Sequence, residues 1–146
     1  MPQNDFPAPS LTPQDALVAV MIAASASDED VSSTELLSIT RMIDSLPVFD
    51  GFDKDRMKQV IPIVFDLFTE EEGLDALFGL VREALPENLF ETAYALACDV
   101  VAADGTADES ELRLLEEIRF ELNINRLHAA AIERGASARF VRAPQD

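Results

Sequence analysis

Apolar residues recur at helical spacing along almost the whole of this 146-residue chain, and no segment alternates cleanly with period two. A helix repeats its buried positions every three to four residues, whereas a half-buried strand repeats them every two. The pattern therefore predicts an all-α fold. With 48% hydrophobic residues, the chain is long enough for a single compact domain, which we expect to contain about seven helices.

Capping residues predict where three of these helices begin. Thr12 precedes Pro13, and proline is favoured at the first helical position because an N–H there would lack a helical partner. Residues 32–35 and 108–111 both have the spacing of a capping box. In a capping box, a side-chain oxygen and a carboxylate three residues later bind backbone N–H groups that the helix leaves free.

Gly135 predicts the end of the last helix, since glycine commonly follows a helix C-terminus. We thus expect a helical domain over residues 12–135, flanked by a flexible N-terminal segment, residues 1–11, and a flexible C-terminal tail, residues 136–146. The capping box at residues 108–111 predicts the start of a sixth helix, which runs through Leu112, Leu115, Ile118 and Leu122.

Two helix-turn-helix pairs carry the same acidic spacing, which makes them pseudo-repeats. Asp28 is followed seven residues later by Glu35, and Asp104 is followed seven residues later by Glu111. Ca²⁺ and Mg²⁺ prefer carboxylate oxygens as ligands. If the two pairs pack as pseudo-symmetric units, their four carboxylates converge, and the repeat predicts a divalent-cation site.

Helix capping explains the same glutamates without a metal, because Glu35 and Glu111 each occupy the third helical position of a capping box. In an EF-hand alignment, the second hairpin also places Val100 and Ala102 at ligand positions, where they offer no side-chain oxygen. Two interpretations therefore stay open. One is a cation-binding protein, and the other is a metal-free helical adaptor that binds another protein through an apolar or acidic face.

The net charge of −17 argues against nucleic acid and anionic lipid as partners, since both require clustered Lys and Arg. The longest nearly apolar run, residues 16–26, is too short to span a bilayer as a helix. We expect a protein partner, no nucleic acid and no transmembrane segment. The single cysteine, Cys98, has apolar neighbours and predicts a buried thiol in a reducing, cytoplasmic setting.

Enzymatic motifs are missing from the sequence. His128 is the only histidine, which excludes His-rich zinc sites and paired Glu-x-x-His di-iron motifs. The chain also has no Ser-His-Asp order and no glycine-rich phosphate loop. We therefore expect a protein that is not an enzyme.

The two hairpins share several stretches with one known family: Met21-Ile22-Ala23-Ala24, Asp28, Val31-Ser32-Ser33-Thr34-Glu35, Ala95-Leu96-Ala97, Val100-Val101-Ala102-Ala103-Asp104-Gly105 and Glu111-Leu112. Over about residues 12–135, the chain resembles the tellurite-resistance TerB family. The resemblance implies a helical fold, divalent-metal binding by acidic residues of the two hairpins, and a role in tellurite or other chemical stress with no established reaction.

Carried over by residue, the resemblance assigns four metal ligands. They are Asp28 and Glu35 in the first hairpin, and Asp104 and Glu111 in the second. Asp30 and Asp108 are additional candidate ligands.

Overall fold

The computed structural model describes residues 11–26, 31–105 and 107–145, and these residues form the all-α fold that the periodicity predicts. The α-helices are α1 (Pro13–Ser25), α2 (Ser33–Ser45), α3 (Met57–Phe68), α4 (Gly73–Ala84), α5 (Phe90–Ala103), α6 (Glu109–Glu121) and α7 (Arg126–Arg139). Short 3₁₀ turns lie at Pro47–Phe49, Lys54–Arg56 and Glu87–Leu89. Apart from Leu11, the N-terminal segment predicted to be flexible lies outside the described residues.

Helix α1 forms the centre of the core. It is apolar on all sides, and residues 16–24 are all almost completely buried, as expected for a helix without a polar face. It packs against α2, α3, α4, α5 and α6, while α5 also contacts α2, α6 and α7. This arrangement puts the two hairpins, α1–α2 and α5–α6, side by side, because their first helices pack against each other.

The start of α1 is held by an ion pair between the buried carboxylate of Asp15 and the partly exposed guanidinium of Arg56. The carboxylate of Asp15 accepts the backbone N–H of Thr12 at 3.1 Å and the Arg56 Nε–H at 2.8 Å. Burial opposes ionisation of Asp15, but the hydrogen bonds from Arg56 and Thr12 outweigh it and lower the pKa of this carboxyl. The pair therefore ties the first turn of α1 to the turn that precedes α3.

The prediction that the last helix ends at Gly135 is wrong, because α7 continues through Gly135 to Arg139. Glycine inside a helix costs about 1 kcal/mol relative to alanine, a cost that tertiary contacts can offset. Here Ala136 is buried and Arg139 forms an ion pair with Asp99 on α5. Contacts with α5 therefore extend the helix beyond its local stop signal.

The apolar residues that the sequence places on the sixth helix are buried to different extents, and Leu112 is 50% exposed. Ile118 and Leu122 are buried, and Leu115 is half-buried. Leu112 lies in the first turn of α6, where it lines a surface cleft beside α7 instead of entering the core. The periodicity identifies the apolar face of α6 but not how far the neighbouring helices cover it.

Candidate functional site

The second hairpin forms a tight turn between α5 and α6. Asp104 ends α5, and Gly105 follows with a φ of 92°, a left-handed conformation that glycine adopts without steric cost. Asp108 then caps α6, because its Oδ1 accepts the Glu111 N–H at 2.8 Å. In return, the Asp108 N–H donates to Glu111 Oε1 at 3.0 Å. The predicted capping box is confirmed.

Glu111 is the most unusual carboxylate of this turn, because its residue is only 6% exposed. Burial raises the pKa of Glu111, the hydrogen bond from the Asp108 N–H opposes that rise, and the charges of Asp108, Asp104 and Glu35 add to it. Glu35 belongs to the first hairpin. Acidic groups of both hairpins therefore act on one buried carboxyl group.

The pKa of Asp108 shifts in the opposite direction to that of Glu111. Asp108 is exposed, and the Glu111 N–H together with the Ser110 hydroxyl stabilises its charged form, which lowers its pKa. The Ser110 Oγ lies 2.9 Å from Asp108 Oδ1. The two carboxyls of one cap thus have pKa values shifted in opposite directions, because hydrogen bonds dominate at the exposed Asp108 and desolvation dominates at the buried Glu111.

The first hairpin has the same cap in a more open setting. The Ser32 N–H donates to Glu35 Oε1 at 3.0 Å, and Ser32 Oγ accepts the Glu35 N–H at 3.1 Å, which confirms the second predicted capping box. Glu35 is only half-buried. Asp28 and Asp30, the other candidate ligands of this hairpin, lie outside the described residues.

The structure thus brings part of the predicted ligand set into one electrostatic neighbourhood. Glu35, Asp104 and Asp108 all lie near enough to Glu111 for their charges to act on it. Within residues 11–26, 31–105 and 107–145, however, no three Asp, Glu, His or Cys side chains form a group able to hold one metal ion. The assignment of the four ligands stays a prediction.

Sequence analysis missed carboxylates that share a cleft with Glu111. A cleft of about 680 Å³ lies between the end of α1, the α3–α4 turn and α6, and it is lined by Glu70, Glu71, Glu111 and Glu117. The run of glutamates at residues 70–72 was a visible signal. Its position opposite α6 depends on tertiary packing, so no local pattern could reveal it.

Cys98 is buried as predicted, on the side of α5 that faces α7. Burial, with smaller contributions from the charges of Glu133 and Asp99, raises the pKa of its thiol to about 12. The neighbouring Tyr94 hydroxyl donates a hydrogen bond to Glu133. At neutral pH the thiol is protonated and therefore a weak nucleophile.

The family model described as tellurite resistance protein TerB matches residues 14–134, which is most of the chain. The chain belongs to the TerB family. This membership agrees with the helical fold, and the matched region contains both acidic hairpins.

No curated protein and no solved structure matched the chain in the corresponding searches. Among the described residues of this TerB-family chain, no helix has both the length and the apolar character needed to cross a membrane.

Proposed function

We propose that this TerB-family protein is a non-enzymatic cytoplasmic protein that binds a divalent cation, Ca²⁺ or Mg²⁺, in the response to tellurite or related chemical stress. The proposed ligands are Asp28, Glu35, Asp104 and Glu111. Asp30 and Asp108 are additional candidates.

The observation that carries this proposal is the environment of Glu111. Glu111 is buried, and the charges of three acidic neighbours oppose its ionisation. A cation bound there would relieve this repulsion. The donor chemistry also fits, since every candidate ligand is a hard carboxylate oxygen, the type that Ca²⁺ and Mg²⁺ prefer. When bound, the ion would supply positive charge to this acidic neighbourhood.

The capping boxes do not prevent Glu35 and Glu111 from binding a cation. In both hairpins, the cap glutamate uses Oε1 to accept a backbone N–H. Neither Glu35 Oε2 nor Glu111 Oε2 accepts a hydrogen bond from the described part of the chain. Capping and cation binding are therefore compatible in these two residues.

Thermal unfolding with and without millimolar Ca²⁺ or Mg²⁺ tests the proposal. A ligand that binds only the folded state stabilises it, by about 2.7 kcal/mol at a concentration one hundred times its Kd. We expect the melting temperature of the wild type to rise. The double variant Asp104→Asn/Glu111→Gln should lose most of this rise, and Asp28→Asn should lose part of it.

A charge-matched control separates the site from the general acidity of the protein. Glu83→Gln/Glu87→Gln removes the same number of charges at exposed positions outside the candidate site, and it should retain the full response to the cation. An unchanged wild-type melting temperature at millimolar cation would contradict the proposal. Equal losses of this rise in the two double variants would show that the cation stabilises the protein only by nonspecific screening of its negative charge.

The alternative is a metal-free adaptor in which these carboxylates act only as helix caps. It is favoured by one specific observation, the reciprocal hydrogen bonds of both capping boxes, which give Glu35 and Glu111 a structural role. Under this alternative, calorimetric titration with Ca²⁺, Mg²⁺, Mn²⁺ and Zn²⁺ would detect no site. The Glu111→Gln variant would then behave like the wild type toward all four ions.

A further inference from the structure

The cleft that contains Glu111 combines an apolar floor with acidic walls. We call it the acidic cleft. Its floor is formed by alanines at the end of α1 and by Phe68, Leu74 and Leu114. Glu70 and Glu71 lie on one wall, in the turn between α3 and α4, while Glu111 and Glu117 belong to α6. Carboxylates from separate elements thus border one apolar surface.

The charge of the acidic cleft is not balanced from within. Among the described residues that line it, only Arg113 is basic, and its Nη2 lies 3.9 Å from Glu109 Oε1 on the same helix. Glu70, Glu71 and Glu117 are exposed and form no ion pair with any described residue. The cleft therefore presents a strong negative potential above an apolar surface.

Glu111 makes the acidic cleft more than a solvated group of surface glutamates. Its residue is more than nine-tenths buried, it lines the cleft, and its Oε2 accepts no hydrogen bond from the described residues. Burial of this carboxylate is costly, because it removes hydration that the one hydrogen bond from the Asp108 N–H replaces only in part. A ligand that donates N–H groups into the cleft would offset this cost.

We propose that the acidic cleft binds a linear polyamine, a chain in which protonated amines alternate with short methylene segments. Ammonium groups would donate to the carboxylates of both walls, and the methylene segments would cover the apolar floor. The cleft volume of about 680 Å³ is large enough to hold such a chain. A bare divalent ion satisfies the carboxylates but leaves the floor exposed, whereas a polyamine matches both features.

This inference goes beyond the proposed cation site and does not depend on it, although Glu111 is common to both. The remaining polyamine contacts, Glu70, Glu71 and Glu117, are not candidate metal ligands. Asp104 does not line the acidic cleft. Failure of one proposal is therefore distinguishable from failure of the other by different variants.

Calorimetric titration at about 150 mM salt, where long-range attraction is largely screened, tests the polyamine site. The probes are spermidine and hexaamminecobalt(III), which carry the same charge of about +3, although only spermidine has methylene groups. We expect one spermidine site and at least about tenfold weaker binding of the cobalt complex, since buried methylene groups add affinity that charge alone does not supply.

The variant Glu70→Gln/Glu117→Gln neutralises one carboxylate on each wall and should weaken spermidine binding about tenfold. Because both residues are exposed, their substitution leaves the core intact. The matched control Glu83→Gln/Glu87→Gln should bind spermidine like the wild type. Asp104→Asn should reduce the response to Ca²⁺ and leave spermidine binding unchanged.

Several results would overturn the polyamine site. One is equal affinity for spermidine and the cobalt complex, which would remove any role for the apolar floor. Another is equal weakening in the two double variants, which would indicate diffuse attraction to an acidic protein. A third is binding of a helical peptide that contains lysine and leucine, together with no binding of spermidine. The cleft would then be a protein docking site.

Discussion

The two hairpins have the same capping chemistry but place their glutamates in different surroundings. In each one, a glutamate at the third helical position receives the N–H of the cap residue through Oε1, at 3.0 Å in both cases. Glu35 remains half-exposed at the start of α2, whereas Glu111 is buried where α6 approaches α1. Only Glu111 lines the acidic cleft.

A local motif and its chemical environment therefore have separate origins. The capping box depends on the spacing of two residues and forms in both hairpins. The raised pKa of Glu111 depends first on burial and then on acidic groups that other parts of the chain bring near it. Equal motifs therefore do not imply equal roles in binding.

The largest expected effect comes from loosening α6. Ile118 is 1% exposed, and Ile118→Ala should lower the free energy of unfolding by about 2–5 kcal/mol, because it removes packed methyl groups and leaves a cavity. In the folded variant, the pKa of Glu111 should move toward its ordinary value as α6 packs less tightly. Urea unfolding measures the first effect, and an NMR titration of the Glu111 carboxyl measures the second.

Leu112→Ala is the matched control on the same helix, since Leu112 is half-exposed. It should change the free energy of unfolding by less than about 1 kcal/mol and leave the pKa of Glu111 unchanged. A Glu111 pKa that stays raised in folded Ile118→Ala would show that burial of Glu111 does not require the α6 core contact.

A smaller effect is expected from the cap of the first hairpin. Ser32→Ala removes the oxygen that accepts the Glu35 N–H at 3.1 Å, and it should cost about 1 kcal/mol in the free energy of unfolding. Ser33→Ala, one residue later, alters a side chain that caps nothing in the described structure and should cost much less. Equal losses in urea unfolding would mean that the Ser32 cap contributes no specific stability.

The smallest effect concerns the charge of Glu111 itself. Glu111→Gln preserves an oxygen that accepts the Asp108 N–H but cannot ionise. Because the folded pKa of Glu111 is raised, its contribution to stability is favourable below the unfolded pKa of about 4.5 and is lost as pH rises through the folded value. The variant should therefore gain stability relative to the wild type over that rise in pH.

Glu35→Gln provides the comparison for this measurement, since it loses the same interaction with the helix dipole without the same burial. Melting temperatures across pH 4–8, recorded without added cation, should separate the two variants. If both variants follow the same pH profile, the distinction between the buried Glu111 and the half-buried Glu35 is wrong.

Much of the architecture was predictable because its signals are local. Thr12, Ser32 and Asp108 all cap helices as their spacing predicts, since capping satisfies N–H groups within one turn. The exposure of Leu112 and the extension of α7 past Gly135 were not predictable, because neighbouring helices determine both. Of the candidate site, sequence analysis identified Glu111 and its capping role but not the glutamates that face it from another turn.

The helical class, the starts of three helices and the family follow from periodicity, spacing and residue identity alone. The burial of Glu111, the effect of the charge of Glu35 on it across two hairpins, and the cleft it shares with Glu70 and Glu71 arise only when the helices pack. The physical reason is distance along the chain. Desolvation and repulsion depend on groups that are remote in sequence and become neighbours only when the helices pack.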